Sequence, residues 1–170
     1  MTTEDHRTAA FRTLALPLLD DLYRLARGLA GSRSAADDLV QECFLRGLRY
    51  FDSWHGEDLR AWMAAIMRNI HRDRIGLPNM TDENLEYIAD PAPDPEQVAM
   101  SDDHAQRLRT LLAHLPEALR EVLVLREYGN LSYEQIAQAL AIPQGTVMSR
   151  LARARERLRA GWLATHGAGP

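Results

Sequence analysis

A basic segment near the carboxyl end of the chain, residues 145–159, carries the residue types best suited to binding a polyanion. Its sequence, GTVMSRLARARERLR, holds one acidic residue, Glu156. Guanidinium groups pair with phosphate oxygens through short charge-assisted hydrogen bonds, and a nucleic acid presents such oxygens at regular intervals. The segment therefore predicts a basic helix that lies on nucleic acid. Its five arginines are Arg150, Arg153, Arg155, Arg157 and Arg159.

The mean charge of the protein conceals this segment, because the acidic residues are concentrated elsewhere. The formal net charge is −4 over 170 residues. Residues 1–76 balance eleven arginines against eleven acids, residues 77–106 carry eight acids and no base, and residues 107–170 carry nine arginines and five acids. A local basic face, rather than the average charge, attracts a polyanion. The last third of the chain is the part expected to do so.

Composition limits the other classes of function. The single cysteine, Cys43, excludes an intramolecular disulfide and a cysteine-based zinc cluster and fits a reducing cytoplasm. We expect no membrane insertion and no signal segment, since no apolar run approaches the roughly 18 residues that span a bilayer. The histidines show no metal-ligand spacing with carboxylates, so neither a metal nor a cofactor is expected. No nucleophile–base pair, glycine-rich phosphate loop or paired carboxylate site indicates an enzyme.

Helical periodicity organises the first 76 residues. Helices are predicted over residues 11–30, 34–51 and 58–75, and this half is expected to form a compact bundle of three or more helices. Pro17 lies inside the first pattern and predicts a helix start or a kink there. The apolar stripes are Leu14, Leu18, Leu22, Leu25 and Leu29 in the first helix; Leu39, Val40, Cys43, Phe44 and Leu48 in the second; and Leu59, Trp62, Met63, Ile66 and Ile70 in the third.

The pattern breaks after residue 76 and restarts at residue 102. The stretch LPNMTDENLEYIADPAPDPEQ contains four prolines and no basic residue, a composition typical of a linker, with room for one helical turn at ENLEYIA. Beyond it, helical spacing returns and continues to about Trp162. The sequence thus predicts an all-α protein of two small helical domains, residues 1–76 and 102–170, joined by an acidic, proline-rich linker at 77–101.

The end of the second domain predicts a helix-turn-helix. Ser132 and Gln135 have the spacing of a capping box, the following helix ends near Ala141, and the arginine-rich helix starts at Pro143 or Gln144. The alternative is a solvated basic helix that caps a three-helix bundle. In the helix-turn-helix interpretation, the residues facing away from the core at the base-reading end are Gln144, Thr146, Met148, Ser149, Ala152 and Arg153, while Arg150, Arg155, Arg157 and Arg159 suit phosphates.

Two stretches resemble regions 4 and 2 of bacterial sigma factors. LPEALREVLVLREYGNLSYEQIAQALAIPQGTVMSRLARARERLR is similar to region 4, and specifically to the small extracytoplasmic-function group, whose usual wording is close to LSYEEIAEILGCPVGTVKSRLHRAREKL. AADDLVQECFLRGLRYFDSW followed by LRAWMAAIMRNIHRDRI is similar to region 2. The resemblance covers roughly residues 10–76 and 108–160. It implies a non-enzymatic subunit that directs core RNA polymerase to promoters.

The resemblance assigns region 2 two tasks. The segment DDLVQE would dock on the clamp helices of the polymerase β′ subunit through Asp37, Asp38, Leu39, Gln41 and Glu42. A solvated acidic helix start is the alternative interpretation of the same residues.

The second task is to hold the minus-ten promoter element as a single strand with one base flipped out of the stack. Asn69 stands where the family places a base-contacting asparagine. Trp54 and His55 lie in the loop that would line the pocket, and Trp54 could equally fill that loop as a core residue. Phosphate contacts would come from Arg68, Arg72 and Arg74.

Region 4 would bind the minus-thirty-five element in the major groove, and the polymerase β flap is its implied partner. Ser149, Ala152 and Arg153 would face bases or the nearby backbone, with Arg150 on phosphate. Met148 replaces the usual Lys or Arg, so one charge contact is lost while contact with a thymine methyl group remains open. Ala141 replaces the frequent turn glycine, which disfavours a positive φ there.

The resemblance also implies an anti-sigma partner and a role in a stress response. One competing interpretation is a sigma-factor mimic that sequesters an anti-sigma factor without binding promoter DNA. Another is a helix-turn-helix repressor with a helical dimerisation module, which would leave DDLVQE and AWMAAIMRN unexplained.

Overall fold

The computed structural model describes residues 2–76 and 103–166, apart from the side chain of His166. Every regular element in those two ranges is helical, which confirms the predicted all-α class. The predicted linker and the helical turn at ENLEYIA lie outside the described residues. The helices are α1 Thr3–Ala15, α2 Leu19–Ala30, α3 Arg33–Tyr50, α4 Leu59–Ile75, α5 Asp103–Ala113, α6 Glu117–Glu127, α7 Tyr133–Leu140 and α8 Gln144–His166.

The described residues form two compact units. The first contains residues 2–76 together with residues 124–144, and its strongest packing joins α2 to α3, α3 to α4 and α4 to α7. The second contains residues 103–123 and 145–166. The inclusion of residues 124–144 in the first unit is a feature that the periodicity did not indicate, because helical periodicity reports only that a face is buried and not what covers it.

The chain bends between α1 and α2 where Pro17 stands. A 3₁₀ turn at Leu16–Leu18 interrupts the helix, as expected of a proline inside a helical pattern. The predicted single stripe across this junction is wrong at one position, since Leu14 is 45% exposed and α1 instead buries Phe11 and Ala15. The turn rotates the second helix relative to the first, so one period does not run through both.

Side-chain caps fix the starts of α3 and α4. Ser32 accepts a hydrogen bond from the Ala35 amide, and Asp58 accepts one from the Ala61 amide. Between these helices the Cys43 thiol donates to the Met63 carbonyl at 3.4 Å, and burial raises the pKa of Cys43 to about 12. The thiol is therefore a core group with little thiolate character, as packing alone predicts.

The turn between α7 and α8 overturns one expectation. The predicted capping box is present, with Ser132 and Gln135 each accepting the other's amide hydrogen. After Leu140, however, Ala141 adopts a left-handed conformation, φ 54° and ψ 45°, although alanine disfavours it. The amides of Ala141 and Ile142 both donate to the carbonyl of Ala137. These hydrogen bonds close the end of α7, and they outweigh the strain that the Cβ of Ala141 causes in this conformation.

We expect Ala141→Gly to raise the free energy of unfolding by about 1 kcal/mol, because glycine removes the Cβ clash of the left-handed conformation. Urea denaturation of the two proteins measures the difference. Ala152→Gly, in the exposed middle of α8, is the matched control and should lower stability by about 1 kcal/mol. Equal losses in both variants would show that the turn at residue 141 carries no strain.

Candidate nucleic-acid interface

The first half of α8 has a buried face and an exposed face. Val147, Leu151 and Ala154 are at most 1% exposed and recur at helical spacing. Apart from Arg150, the side chains between them point away from the protein and form the outward face of α8. Of the predicted base-reading residues, Gln144, Met148, Ser149, Ala152 and Arg153 are exposed, and Thr146 is half-buried.

Arg150 lies on the other side of this helix, which corrects its assignment to phosphate. It stands three residues after Val147 and four before Ala154, so it falls within the apolar stripe and is only 7% exposed. Its side chain makes an interaction within the protein. An arginine buries its methylene stem against apolar surface when its head group finds such a partner. Met148, by contrast, is 53% exposed at the centre of the outward face.

A further cation, Arg126, lies near Gln144 at the start of α8 and was missed in the sequence. Arg126, near the end of α6, stacks over the Tyr133 ring at 5.1 Å and donates to the Leu131 carbonyl at 2.8 Å. An open depression at the start of α7 is lined by Arg126, Ser132, Tyr133, Glu134 and Gln144. Arg126 precedes the helix-turn-helix in sequence, so no local spacing indicated that the fold would return it there.

Asn69, the residue on α4 expected to contact a base, is exposed. Its neighbour Arg68 donates from Nη1 to the Asn69 Oδ1 at 3.4 Å, which orients the amide. Arg74 is also exposed, whereas Arg72 is 4% exposed, so its assignment to phosphate is corrected. Arg72 follows the buried Ala61 by three full turns and therefore points in the same inward direction.

The loop that precedes α4 is folded on itself. The Trp54 ring stacks on Phe51 with centroids 5.6 Å apart, and its Nε1 donates to the Glu57 carbonyl at 2.9 Å. The amide of His55 donates to the Glu57 carboxylate at 3.0 Å, and the His55 side chain is exposed. One face and the polar edge of the indole are thus used within the loop, which matches the interpretation of Trp54 as a residue that fills the loop.

The acidic segment of α3 separates into an outward and an inward part. Asp37, Asp38 and Gln41 are exposed, while Leu39 is 1% exposed and belongs to the core, so it cannot contact a partner directly. Glu42 accepts from Arg46 at 2.7 Å, and this hydrogen bond lowers the pKa of Glu42.

Leu45 extends the outward part of α3 and was not identified from the sequence. It is 61% exposed and follows Gln41 by one turn on the same face. Protein-binding surfaces usually combine an apolar centre with a polar rim, and Leu45 with the polar side chains around it has that composition. We name the surface formed by Asp37, Asp38, Gln41, Glu42 and Leu45 the α3 face.

No group of three histidine, cysteine, aspartate or glutamate side chains within 2–76 and 103–166 is placed to hold a metal ion. No helix within these ranges is both long and apolar enough to cross a bilayer.

Comparisons with known families match both halves of the chain. Residues 14–76 match the profile of sigma-70 region 2, and residues 105–158 match the profile of sigma-70 region 4. The chain is 35% identical over 156 residues to the ECF RNA polymerase sigma factor EcfG of Rhodopseudomonas palustris, covering 90% of this chain and 85% of that protein.

A second relative is longer than this chain. The ECF RNA polymerase sigma factor SigE of Mycolicibacterium smegmatis is 35% identical over 152 residues, which cover 86% of this chain and 59% of SigE.

Two solved structures share the fold. The sigma factor RpoE of Bartonella quintana, in complex with the anti-sigma factor NepR, is 28% identical with a TM-score of 0.67, covering 90% of this chain and 96% of RpoE. CnrH, in complex with the cytosolic domain of CnrY, is 26% identical with a TM-score of 0.69, covering 92% and 90% of the two chains.

Two of the arginines of α8, Arg150 and Arg153, should respond differently to substitution. Arg153→Ala should weaken binding to duplex DNA by about 1–3 kcal/mol without changing stability, because its side chain is exposed on the outward face. Arg150→Ala should instead lower the free energy of unfolding. Fluorescence anisotropy with a labelled duplex and urea denaturation separate the two effects, and reversed results would place Arg150 on the nucleic acid.

Proposed function

Since the chain belongs to the extracytoplasmic-function group of sigma-70 factors, we propose that it is the subunit that binds core RNA polymerase and directs initiation at a particular set of promoters. The observation that carries this proposal is the presence of regions 2 and 4 in order on one chain, each with an exposed face suited to its task. The protein would act in the cytoplasm beside the polymerase and would have no enzymatic activity of its own.

The outward face of α8 would read the minus-thirty-five element. Its amino-terminal half combines small side chains, Ser149 and Ala152, with the longer Met148 and Arg153. Small residues let the helix approach the base edges closely, and a methionine offers apolar contact to a thymine methyl group. Arg126, in the depression at the start of α7, would add a phosphate contact that positions the helix-turn-helix without reading sequence.

The exposed edge of α4 would hold the minus-ten element. The Asn69 amide has donors and an acceptor for the edge of a flipped base, and the adjacent Arg68 donates to its oxygen. Arg74 is exposed on the same helix and would contact the phosphate backbone. The self-folded loop at Trp54 would support the pocket as a rigid wall.

The α3 face would dock on the clamp helices of the β′ subunit. Its carboxylates complement a basic partner, while Leu45 supplies apolar area that gains free energy when it leaves water. The core residue Leu39 would hold the helix in place from behind. The β flap would be the partner of region 4.

An anti-sigma factor is a further proposed partner. RpoE of Bartonella quintana was solved with the anti-sigma factor NepR, and CnrH was solved with the cytosolic domain of CnrY. This chain shares more than a quarter of its aligned residues with each of the two. Control by such a partner would tie the protein to a stress response.

The decisive experiment is run-off transcription with purified protein, core polymerase and a pool of genomic promoter fragments. Transcripts from a discrete set of promoters would establish the proposed function. Absence of transcripts together with stable capture of a small anti-sigma protein would favour the mimic, because a mimic binds the regulator without engaging DNA.

Asn69→Ala should abolish promoter opening and leave binding to core polymerase intact, since Asn69 is exposed on α4 and distant in sequence from the α3 face. Permanganate footprinting measures opening, and co-elution with core polymerase measures binding. The adjacent Asp73→Ala, exposed on the same helix, is the matched control. Wild-type footprints from Asn69→Ala would remove the minus-ten assignment.

Leu45→Ala should weaken binding to core polymerase about tenfold, because the leucine loses the apolar area it would bury in the complex. A competition assay against labelled protein measures the affinity. Leu14→Ala, which removes a comparably exposed leucine from α1, should change it little. Equal affinities for the two variants would exclude Leu45 from the docking surface.

A further inference from the structure

Gln135 joins the amino-terminal caps of two helices that are far apart in the sequence. Its Oε1 accepts from the Ser132 amide at 2.8 Å and completes the capping box of α7. Its Nε2 donates to the Asp58 Oδ2, also at 2.8 Å. The other Asp58 oxygen accepts from the Ala61 amide at 3.0 Å and caps α4. Each side chain thus uses one polar atom for its own cap and the other for the connection, so neither cap is given up.

Close packing surrounds this hydrogen bond. Helix α4 packs directly against α7, and residues 124–144 belong to the same compact unit as residues 2–76. At Gly28 of α2, an added Cβ would lie 2.8 Å from the Val124 Cγ1 and 2.8 Å from the Tyr128 Cγ. Such distances leave no room for a Cβ at position 28, so the side chains of Val124 and Tyr128 pack directly against the glycine of α2.

The charge on Asp58 favours the connection. Burial alone would raise the pKa of Asp58, but hydrogen bonds from the Gln135 side chain and from the amides of Ala61 and Arg60, with the charge of Arg60, lower it. The carboxylate is therefore ionised near neutral pH, and the hydrogen bond from Gln135 is charge-assisted.

The packing of α7 on α4 conflicts with the task proposed for the two regions. The minus-ten and minus-thirty-five elements differ in position by about 25 base pairs, which is about 85 Å along duplex DNA. Region 2, which contains α4, and region 4, which contains α7, cannot engage both elements while these helices touch. Residues 124–144 must therefore leave the bundle before both elements are bound.

We infer that the free protein is autoinhibited by this contact, with the Asp58–Gln135 hydrogen bond as a latch between α4 and α7. The inference rests on the proposed function. Only the released fraction of the protein can bind a promoter with both elements. The protein concentration needed for half-maximal binding is therefore higher than that of a fully released protein, by a factor of one divided by the released fraction. Any factor that favours release activates the protein without altering its DNA-reading residues.

One substitution separates the latch from the cap. Gln135→Glu keeps an acceptor for the Ser132 amide, since glutamate and glutamine serve equally at this position of a capping box. Glutamate is also the residue at this position in the family wording quoted above. It removes the donor to Asp58 and sets two carboxylates against each other, which should release α7 while both helices stay folded.

The double variant restores the latch with its polarity reversed. Asparagine caps helices as well as aspartate does, so Asp58→Asn preserves the α4 cap. When Asp58→Asn is combined with Gln135→Glu, the new amide at position 58 becomes the donor and the new carboxylate at position 135 becomes the acceptor. Because position 58 lies outside region 4, rescue by this change cannot arise from altered contacts of α7 with DNA.

A third variant tests the packing independently of the latch. Gly28→Ala inserts a Cβ where Val124 and Tyr128 lie, and it raises the helix propensity of α2 rather than lowering it. The helix should remain folded while residues 124–128 are displaced.

Energy transfer between dyes on α3 and α7 of the full-length protein reports release. Arg49→Cys and Gln138→Cys provide exposed attachment sites. Cys43 stays unlabelled, since it is buried and its pKa is raised to about 12. High transfer is expected in the parent protein and in the double latch variant, with lower transfer in Gln135→Glu and Gly28→Ala.

Open-complex formation at a promoter with both elements supplies the functional measurement. Gln135→Glu should reach half-maximal opening at about two- to fivefold lower concentration than the parent, the range expected from losing one exposed charged hydrogen bond. The double variant should return to the parent value. Low energy transfer in the parent protein would overturn the closed state. Lower transfer in Gln135→Glu without a change in the protein concentration for half-maximal opening would overturn autoinhibition. Absence of opening by the parent would count against the proposed function instead, while the transfer measurements would still decide whether the protein is closed.

Discussion

Burial of an apolar stripe on each short helix is the constraint on which the rest of the structure depends. Most of the stability of a helix in a protein comes from the apolar face that it packs and little from the helix by itself. Fixing that face fixes the rotation of the helix, and rotation decides which side chains remain outside. In α8 the stripe of Val147, Leu151 and Ala154 directs Met148 and Arg153 outward. The proposed functional groups of α3 and α4 are likewise those that the core leaves exposed.

The same constraint explains what the sequence could and could not predict. Caps and periodicity are local properties, so the starts of α4 and α7 and the capping box at Ser132 and Gln135 could be predicted. Similarity to a family motif assigns a role to each position in the motif, but it does not show which way the helix turns that side chain. It therefore assigned Leu39 and Arg150 to partners although both lie on packed faces.

Backbone strain and long-range packing were beyond local reasoning for a different reason. The left-handed Ala141 is forced by closure of the α7 end, which residue preference alone cannot show. Residues 124–144 lie beside residues 2–76 through contacts such as α7 on α4 and Gly28 against Val124 and Tyr128, which have no fixed spacing in sequence. Arg126 is a third example, because its role depends on the aromatic ring that the fold brings beneath it.

The latch and the caps use different atoms of the same two side chains, Asp58 and Gln135, and this arrangement suits a switch. A capping box satisfies amides that every helix start leaves unpaired, so Ser132 and Gln135 need each other whether or not α7 is docked. Release therefore breaks one exposed hydrogen bond and a packed surface but leaves both helices with their ends closed. A ligand shifts such an equilibrium only by its differential affinity for the two states. Polymerase and promoter would prefer the open state under the proposed function, so their binding would shift the equilibrium toward release.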